Sequence, residues 1–165
     1  MTGTSLVGAL PALVFAKNEL HAIVLRKGIT FQVADYGGLR TRADTTEILK
    51  YRDDDWKVAI KADPSLLQRT TKHEWRKIAP WGRSMHNYGA AFDVQIVGTP
   101  PGMSRLAAMN IVHDEAEGLG LRSGRDFGDP PHLELAFTDA PRGARALAAA
   151  REEWHKLNGT DIFQS

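Results

Sequence analysis

The pattern of hydrophobic and polar positions, together with helix-start and turn residues, divides the chain into eight predicted elements. Helices are predicted over 11–26, 44–51, 63–77, 104–117 and 142–157, and strands over 29–34, 91–97 and 132–137. Helices and strands do not alternate regularly, which argues against a doubly wound parallel sheet. We therefore predict an α+β fold in which a small antiparallel sheet carries the functional site and is flanked by helices.

Local signals mark the starts of two predicted helices. Pro11 suits the first turn of the first helix, and Asp44 with Glu47 three positions later resembles a capping box that opens the second. The acidic run Asp53–Asp55 follows. Because it lacks the alternating ligand spacing of a calcium loop, we interpret it as a solvated turn or helix cap.

Two predicted strands have one apolar face and one polar face. In 91–97 alternate residues are apolar and Asp93 lies on the other side, while in 132–137 His132 and Glu134 lie opposite the apolar side. If the two strands share a sheet with these faces aligned, Asp93 and His132 point into one cleft.

Composition excludes several classes of protein. The 165 residues are 42% hydrophobic and 25% charged, with a net charge of +1 and no cysteine. This is the composition of a globular domain, and it gives no case for bulk nucleic-acid or membrane binding. The absence of cysteine excludes disulfide scaffolds, cysteine-rich zinc sites and cysteine nucleophiles. We predict one domain spanning residues 1–165 and a monomer.

The start of the chain is the only stretch that invites comparison with a targeting segment. Met1–Ala16 is moderately apolar, but it lacks a basic region and contains Pro11. No apolar run reaches the roughly 18 residues that a membrane span requires. We expect no signal peptide and no membrane span.

Candidate chemistry is concentrated in two short stretches. His86 and Asp93 are seven positions apart, and Asp129 precedes His132 by three. Two imidazoles and a carboxylate are a common ligand set for a catalytic zinc ion, and a spare carboxylate can act as a general base. The spacing leaves two interpretations open, a zinc hydrolase and a group of hydrogen-bonded structural residues. No serine-nucleophile elbow or phosphate-binding glycine loop competes with them.

Other polar groups have both a functional and a structural interpretation. The face from Arg69 to Lys77 places basic residues beside Trp75, as a nucleic-acid or anionic-polymer surface would. We favour a solvated helix face. His21 and His113 lie inside predicted helices, and we expect them to be structural or exposed rather than metal ligands.

Three sequence elements resemble those of one known family. Ser84–Asp93 fits S-x-H-x-x-G-x-A-x-D, the signature of the zinc D-Ala-D-Ala carboxypeptidases that include VanY-like and VanX-like enzymes and the L-alanyl-D-glutamate peptidases of phage endolysins. Asp129–His132 fits the family's acidic residue three positions before the last zinc histidine. Gly38–Thr41 resembles its upstream G-x-R-[ST] element, and the three elements occur in the family's order.

The resemblance implies a role for each matched residue. Three residues would bind one zinc ion: His86, Asp93 and His132. Asp129 would be the catalytic base, Arg40 would stabilise the oxyanion or position the substrate, and Ser84 would line the substrate site. The sequence departs from the family at Thr45, near the place where a glutamine is often found, and in 125–128, where a tryptophan is common. An aspartate base favours the endolysin branch.

The resemblance also implies a substrate. We expect a phage or prophage endolysin that hydrolyses the L-Ala–D-Glu bond of cell-wall peptides, with peptidoglycan peptide and no nucleic acid as its partner. A D-alanyl-D-alanine carboxypeptidase and a non-catalytic zinc-binding or wall-binding virion module are the alternatives. Without a signal peptide, an endolysin would reside in the host cytoplasm before its release to the cell wall or periplasm.

Overall fold

A four-stranded antiparallel sheet with strand order β1-β2-β4-β3 organises the fold. The computed structural model describes residues 6–76, 78–137 and 143–161. Its elements are, in chain order, α1 (Pro11–Leu25), β1 (Thr30–Val33), α2 (Arg42–Ala62), α3 (Leu66–Arg69), α4 (Lys72–Arg76), a 3-10 turn (Met85–Tyr88), β2 (Ala91–Gly98), α5 (Arg105–Gly118), β3 (Leu121–Ser123), a second 3-10 turn (Gly124–Phe127), β4 (His132–Leu135) and α6 (Gly143–Asn158). The predicted α+β class and the antiparallel sheet are confirmed.

The core lies between the sheet and the helices α1 and α5. Leu13, Leu20 and Val24 recur along α1 at helical spacing and are fully buried, as is Phe92 on β2. β4 pairs with residues 91–93 of β2 and β1 pairs with residues 94–98, so the two neighbouring strands together cover the length of β2.

The register of β2 and β4 confirms the predicted strand faces. Asp93 lies directly opposite His132, and Phe92 lies opposite Leu133. Phe92 and Leu133 are fully buried in the core, so their neighbours Asp93 and His132 point to the other face of the sheet.

The second helix begins earlier and ends later than predicted. Thr41 is the N-cap of α2, and its hydroxyl and the Asp44 side chain form the capping box. The prediction that Asp44 opens the helix and pairs with Glu47 was therefore wrong by one turn. The helix runs through Asp53–Asp55 to Ala62, so this acidic run is not a turn or a cap.

The helix predicted over 63–77 is two short helices, α3 and α4. Thr70 has an extended backbone between them, and the Glu74 side chain accepts a hydrogen bond from the Thr71 backbone, which begins a new helix. Lys77, the side chains of His73 and Arg76, and the predicted start of the last helix at Arg142 lie outside the described residues.

The strand β3 and both 3-10 turns have no counterpart among the predicted elements. Leu121–Ser123 spans 3 residues, too few for alternation to be recognised in the sequence. In the described part of the chain, no helix has both the length and the apolar character needed to cross a membrane.

Candidate metal centre

Three donor atoms from separate parts of the chain meet at the polar face of β2 and β4. His86 Nε2 lies 3.1 Å from His132 Nδ1, and Asp93 Oδ1 lies 3.2 Å from each of these nitrogens. Zinc–ligand bonds of about 2.0–2.1 Å in a tetrahedron separate neighbouring donors by roughly 3.3 Å. The triangle therefore fits three corners of a tetrahedral zinc site. In the described ranges no other group of histidines and carboxylates is arranged to hold a metal ion.

His86 is presented by the first 3-10 turn. Ser84 caps this turn, with its hydroxyl accepting a hydrogen bond from the His86 backbone at 3.3 Å. The Nδ1 of His86 is 3.1 Å from the Gly38 carbonyl, which requires Nδ1 to carry the proton and leaves the Nε2 lone pair facing the triangle. Gly89 ends the turn with φ of 60°, and a Cβ there would lie 2.6 Å from the Ala9 Cα.

His132 contributes Nδ1 to the triangle, whereas His86 contributes Nε2. The Nε2 of His132 donates to Glu134 Oε2 at 2.9 Å, so Nδ1 is the ring nitrogen directed at the cluster. Arg122 in turn donates to Glu134 at 3.1 Å. A carboxylate behind a ligating histidine orients the ring and increases its basicity. The alternation of the strand places Glu134 on this face but predicts no role for it; the signal in the sequence is a His-x-Glu pair on the polar face of one strand.

Asp93 is held by an arginine from the loop before α2. Arg40 Nη2 donates to Asp93 Oδ2 at 3.0 Å, which leaves Oδ1 for the triangle. The Arg40 Nε donates to the carbonyl of Tyr36, whose φ of 56° is uncommon for a residue other than glycine. The Arg40 backbone donates to the His86 carbonyl at 3.1 Å. Arg40 thus connects two members of the triangle.

The charges of the three donors depend on one another. Burial lowers the pKa of His86 and outweighs its hydrogen bond to Asp93. Burial also acts to lower the pKa of His132, but hydrogen bonds to Asp93 and Glu134 outweigh it and raise the pKa to about 9. Although burial opposes ionisation of Asp93, its hydrogen bonds to both imidazoles hold its pKa below the usual range. Without a metal the cluster therefore keeps a proton on His132, which a metal ion must displace.

Asp129 lies at the rim of the same cleft. The cleft has a volume of about 660 Å³ and is lined by the three donor residues together with Arg40, Ser84 and Asp129. Asp129 is exposed, and the chain around it is fixed by its backbone bond to the Gly124 carbonyl at 2.9 Å and by the bond from the His132 backbone to its own carbonyl at 3.0 Å. A Cβ on Gly124 would lie 1.9 Å from the Asp129 oxygen. The tight turn thus requires glycine and sets Asp129 beside the triangle.

Buried His113 supports this loop from α5. Its Nε2 donates to the carbonyl of Pro130, the residue directly after Asp129, at 2.6 Å. His21 packs edge-on against Phe31 in the core. Both histidines are thus structural, as expected from the sequence.

The acidic run of α2 pairs with neighbouring groups. Asp53 forms an ion pair with Lys72 at 3.1 Å, and Asp54 pairs with Lys57 at 2.9 Å. Asp55 accepts a hydrogen bond from the indole of Trp75 at 3.1 Å. The three aspartates therefore lie within a helix and pair with neighbouring side chains, and they do not form a calcium-binding loop.

The basic face predicted over 69–77 is only partly described. Arg69 forms an ion pair with Asp63, and Lys72 forms one with Asp53 of α2. The side chains of Arg76 and Lys77 lie outside the described residues. The described basic groups of this face thus balance local acids, as a solvated surface does.

The fold has a counterpart among solved structures. No profile of a protein family matches the chain, and no curated protein matches its sequence. The fold is similar to that of a vancomycin-resistance D,D-pentapeptidase, VanY, solved as a mutant from a VanB-type resistance cassette in complex with Zn(II). The TM-score is 0.58 at 15% identity, over 94% of this chain and 82% of that chain. At this identity the similarity establishes the fold, and the chemistry rests on the cleft's own residues.

Proposed function

We propose that this protein is a zinc-dependent peptidase of bacterial cell-wall peptides. The observation that carries the proposal is the triangle of His86, Asp93 and His132, open to a cleft whose rim holds a further carboxylate, Asp129. Three protein ligands with an open fourth position are typical of catalytic zinc sites, whereas structural sites are closed by four. The VanY-like fold and the three matched sequence elements support the same class of substrate.

Each residue of the cleft has one task in this proposal. His86, Asp93 and His132 hold the zinc ion, which when bound supplies Lewis acidity and makes water easier to deprotonate. Asp129 takes the proton from the attacking water and returns it to the leaving amine.

Arg40 stabilises the negative charge that develops on the peptide oxygen, an effect typically worth roughly 3–4 kcal/mol. Ser84 lines the substrate site. Both residues line the cleft, which supports these roles.

We further propose that the bond cleaved is L-Ala–D-Glu and that the protein is a phage or prophage endolysin. The aspartate base supports this branch of the resemblance. A second lobe of about 530 Å³ adjoins this cleft, with Arg40 and Asp93 in the lining of both, and such a space supports a peptide that extends beyond the cut. In this proposal the protein acts as a monomer and reaches the wall after release from the host cytoplasm.

Digestion of purified peptidoglycan tests the function and the bond together. We expect zinc-loaded protein to release fragments with new N-terminal D-glutamate, detected by mass spectrometry, and chelation to abolish this reversibly. Dominant release of free D-alanine would instead indicate a carboxypeptidase. Binding to the wall without any cleavage would indicate a non-catalytic module.

Asp129→Asn separates the base from the metal site. Because Asp129 is not part of the donor triangle, we expect the variant to keep one zinc ion per chain while losing roughly 100-fold or more of its turnover. Elemental analysis and a hydrolysis assay on the same sample measure both. A fully active variant would exclude Asp129 as the base.

A further inference from the structure

The active-site cleft contains a second arginine besides Arg40. Arg52 lies on α2, where it is half-buried and lines both the lobe that holds the donor triangle and the adjoining lobe beyond Asp93. It therefore stands where the two lobes meet. No pattern in the sequence around Arg52 predicts that its side chain faces the cleft.

Arg52 has no ion pair or hydrogen bond within the described parts of the chain, although acidic residues surround it on its helix. Asp53 is engaged by Lys72, Asp55 by Trp75, and Glu47 by the hydroxyl of Tyr36. A half-buried guanidinium loses part of its hydration without a compensating partner. Such a group is well suited to binding an anion that arrives with the substrate.

The other charged groups of the cleft already have tasks. Arg40 is paired with Asp93 at 3.0 Å, and Asp129 is the proposed base. Among the cleft-lining cations that the structure describes, Arg52 is thus the one left for the substrate. The guanidinium fork matches the two oxygens of a carboxylate, a match that an ammonium group does not offer.

Both candidate substrates offer a carboxylate next to the bond that is cut. In a peptide ending in D-Ala-D-Ala it is the terminal carboxylate of the leaving residue. In a stem peptide cut at L-Ala–D-Glu it is the α-carboxylate of the D-glutamate, because that residue continues the chain through its γ-carboxyl. In both cases the carboxylate belongs to the residue after the scissile bond.

We propose that Arg52 is a specificity-determining residue that binds the free carboxylate of the residue following the scissile bond. This inference rests on the proposed peptidase function and adds the chemical group that the cleft selects. It predicts that amidation of this carboxylate weakens the substrate, and that the weakening depends on Arg52.

Matched acid and amide peptides test the inference. One pair is L-Ala-γ-D-Glu-L-Lys and its D-glutamate α-amide, and the other is a stem pentapeptide ending in D-Ala-D-Ala and its C-terminal amide. We expect wild-type kcat/KM to favour the acid of the cleaved pair by roughly 10- to 100-fold, the range of a charge-assisted hydrogen bond. The peptide pair that shows the preference identifies which carboxylate Arg52 binds, that of D-glutamate or that of the terminal D-alanine.

The Arg52→Gln variant should lower kcat/KM for the acid to that of the amide and leave the amide unchanged. Arg52→Lys should keep part of the preference, since it keeps the charge but loses the fork. Arg105→Gln, at an exposed arginine on α5 outside the cleft, is the matched control and should retain the full preference. Equal losses for acid and amide in Arg52→Gln, or no loss for either, would overturn the inference.

Binding provides a readout independent of turnover. Calorimetric titration of zinc-loaded Asp129→Asn should show tighter binding of the acid than of the amide, and the combination with Arg52→Gln should abolish the difference. If wild type hydrolyses neither pair, the peptidase proposal fails, and this titration still decides the inference. Equal affinity of acid and amide in the Asp129→Asn background would reject Arg52 as a carboxylate-binding residue.

Discussion

The two walls of the cleft differ in how their polar groups are held. On the sheet wall each donor has a partner behind it: Gly38 for His86, Glu134 for His132 and Arg40 for Asp93. On the wall formed by α2, Arg52 faces the cleft without an ion pair among the described residues. The exposed ion pairs of α2 lie outside the cleft lining.

This difference separates residues that position the metal ligands from residues that recognise the substrate. A metal centre requires its ligands to be held within fractions of an ångström, and hydrogen bonds behind the ligands provide that constraint. Arg52, the proposed carboxylate-binding residue, has no ion pair among the described residues and is available before the substrate arrives. In the proposed function, the sheet wall would supply the chemistry and the helical wall would distinguish substrates.

The largest effect is expected from removing a donor on the sheet wall. His86→Ala should bring zinc content close to zero and hydrolysis below detection, because two remaining donors leave the ion mostly to solvent. His21→Ala changes a half-buried histidine outside the triangle and should keep one zinc ion per chain. Elemental analysis of both proteins makes the comparison, and full zinc content in His86→Ala would contradict the proposed site.

The next effect concerns the group behind a donor. Glu134→Gln keeps an oxygen acceptor for His132 but removes the charge, so zinc affinity or activity should fall by roughly 10- to 100-fold. Measuring the zinc affinity of Glu134→Gln with a competing chelator tests this prediction. Glu153→Gln, in an exposed ion pair of α6, is the control. Unchanged affinity in Glu134→Gln would reduce the carboxylate to a packing role.

A smaller effect should appear in the pH dependence of the metal-free protein. The folded pKa of His132 is raised from its ordinary 6.5 to about 9, so the proton on His132 stabilises the fold fully below pH 6.5. That contribution is lost as the pH rises from 6.5 to 9.

Urea unfolding of chelator-treated protein measures this loss. The free energy of unfolding should decrease over that interval, and the decrease should be absent in His132→Asn. A zinc-loaded sample should not show it, because a coordinated imidazole carries no proton at the ligating nitrogen. A decrease of equal size in His132→Asn would assign it to other groups.

The smallest effect is expected on the outer side of the helical wall. Lys57→Ala removes an exposed ion pair with Asp54, and such pairs contribute roughly 0–1 kcal/mol. The free energy of unfolding should change by less than about 1 kcal/mol, and peptide hydrolysis should be unchanged. A large loss of activity would show that this face takes part in function and would weaken the contrast between the two walls.

The sequence by itself determined the elements whose signals are local. Period-two alternation placed Asp93 and His132 on polar strand faces, and the register of β2 and β4 confirms it. The helical spacing of Leu13, Leu20 and Val24 identified α1. The sequence motifs also singled out the three donors and Asp129, whose catalytic roles remain predictions.

Only the tertiary structure decided how distant residues meet. Arg40 and Asp93 are 53 positions apart, and no sequence period relates them. Which nitrogen of His86 and of His132 faces the triangle depends on Gly38 and on Glu134, because each partner binds the opposite ring nitrogen. Such contacts depend on packing across the whole chain, whereas local pattern reports only which face a residue occupies.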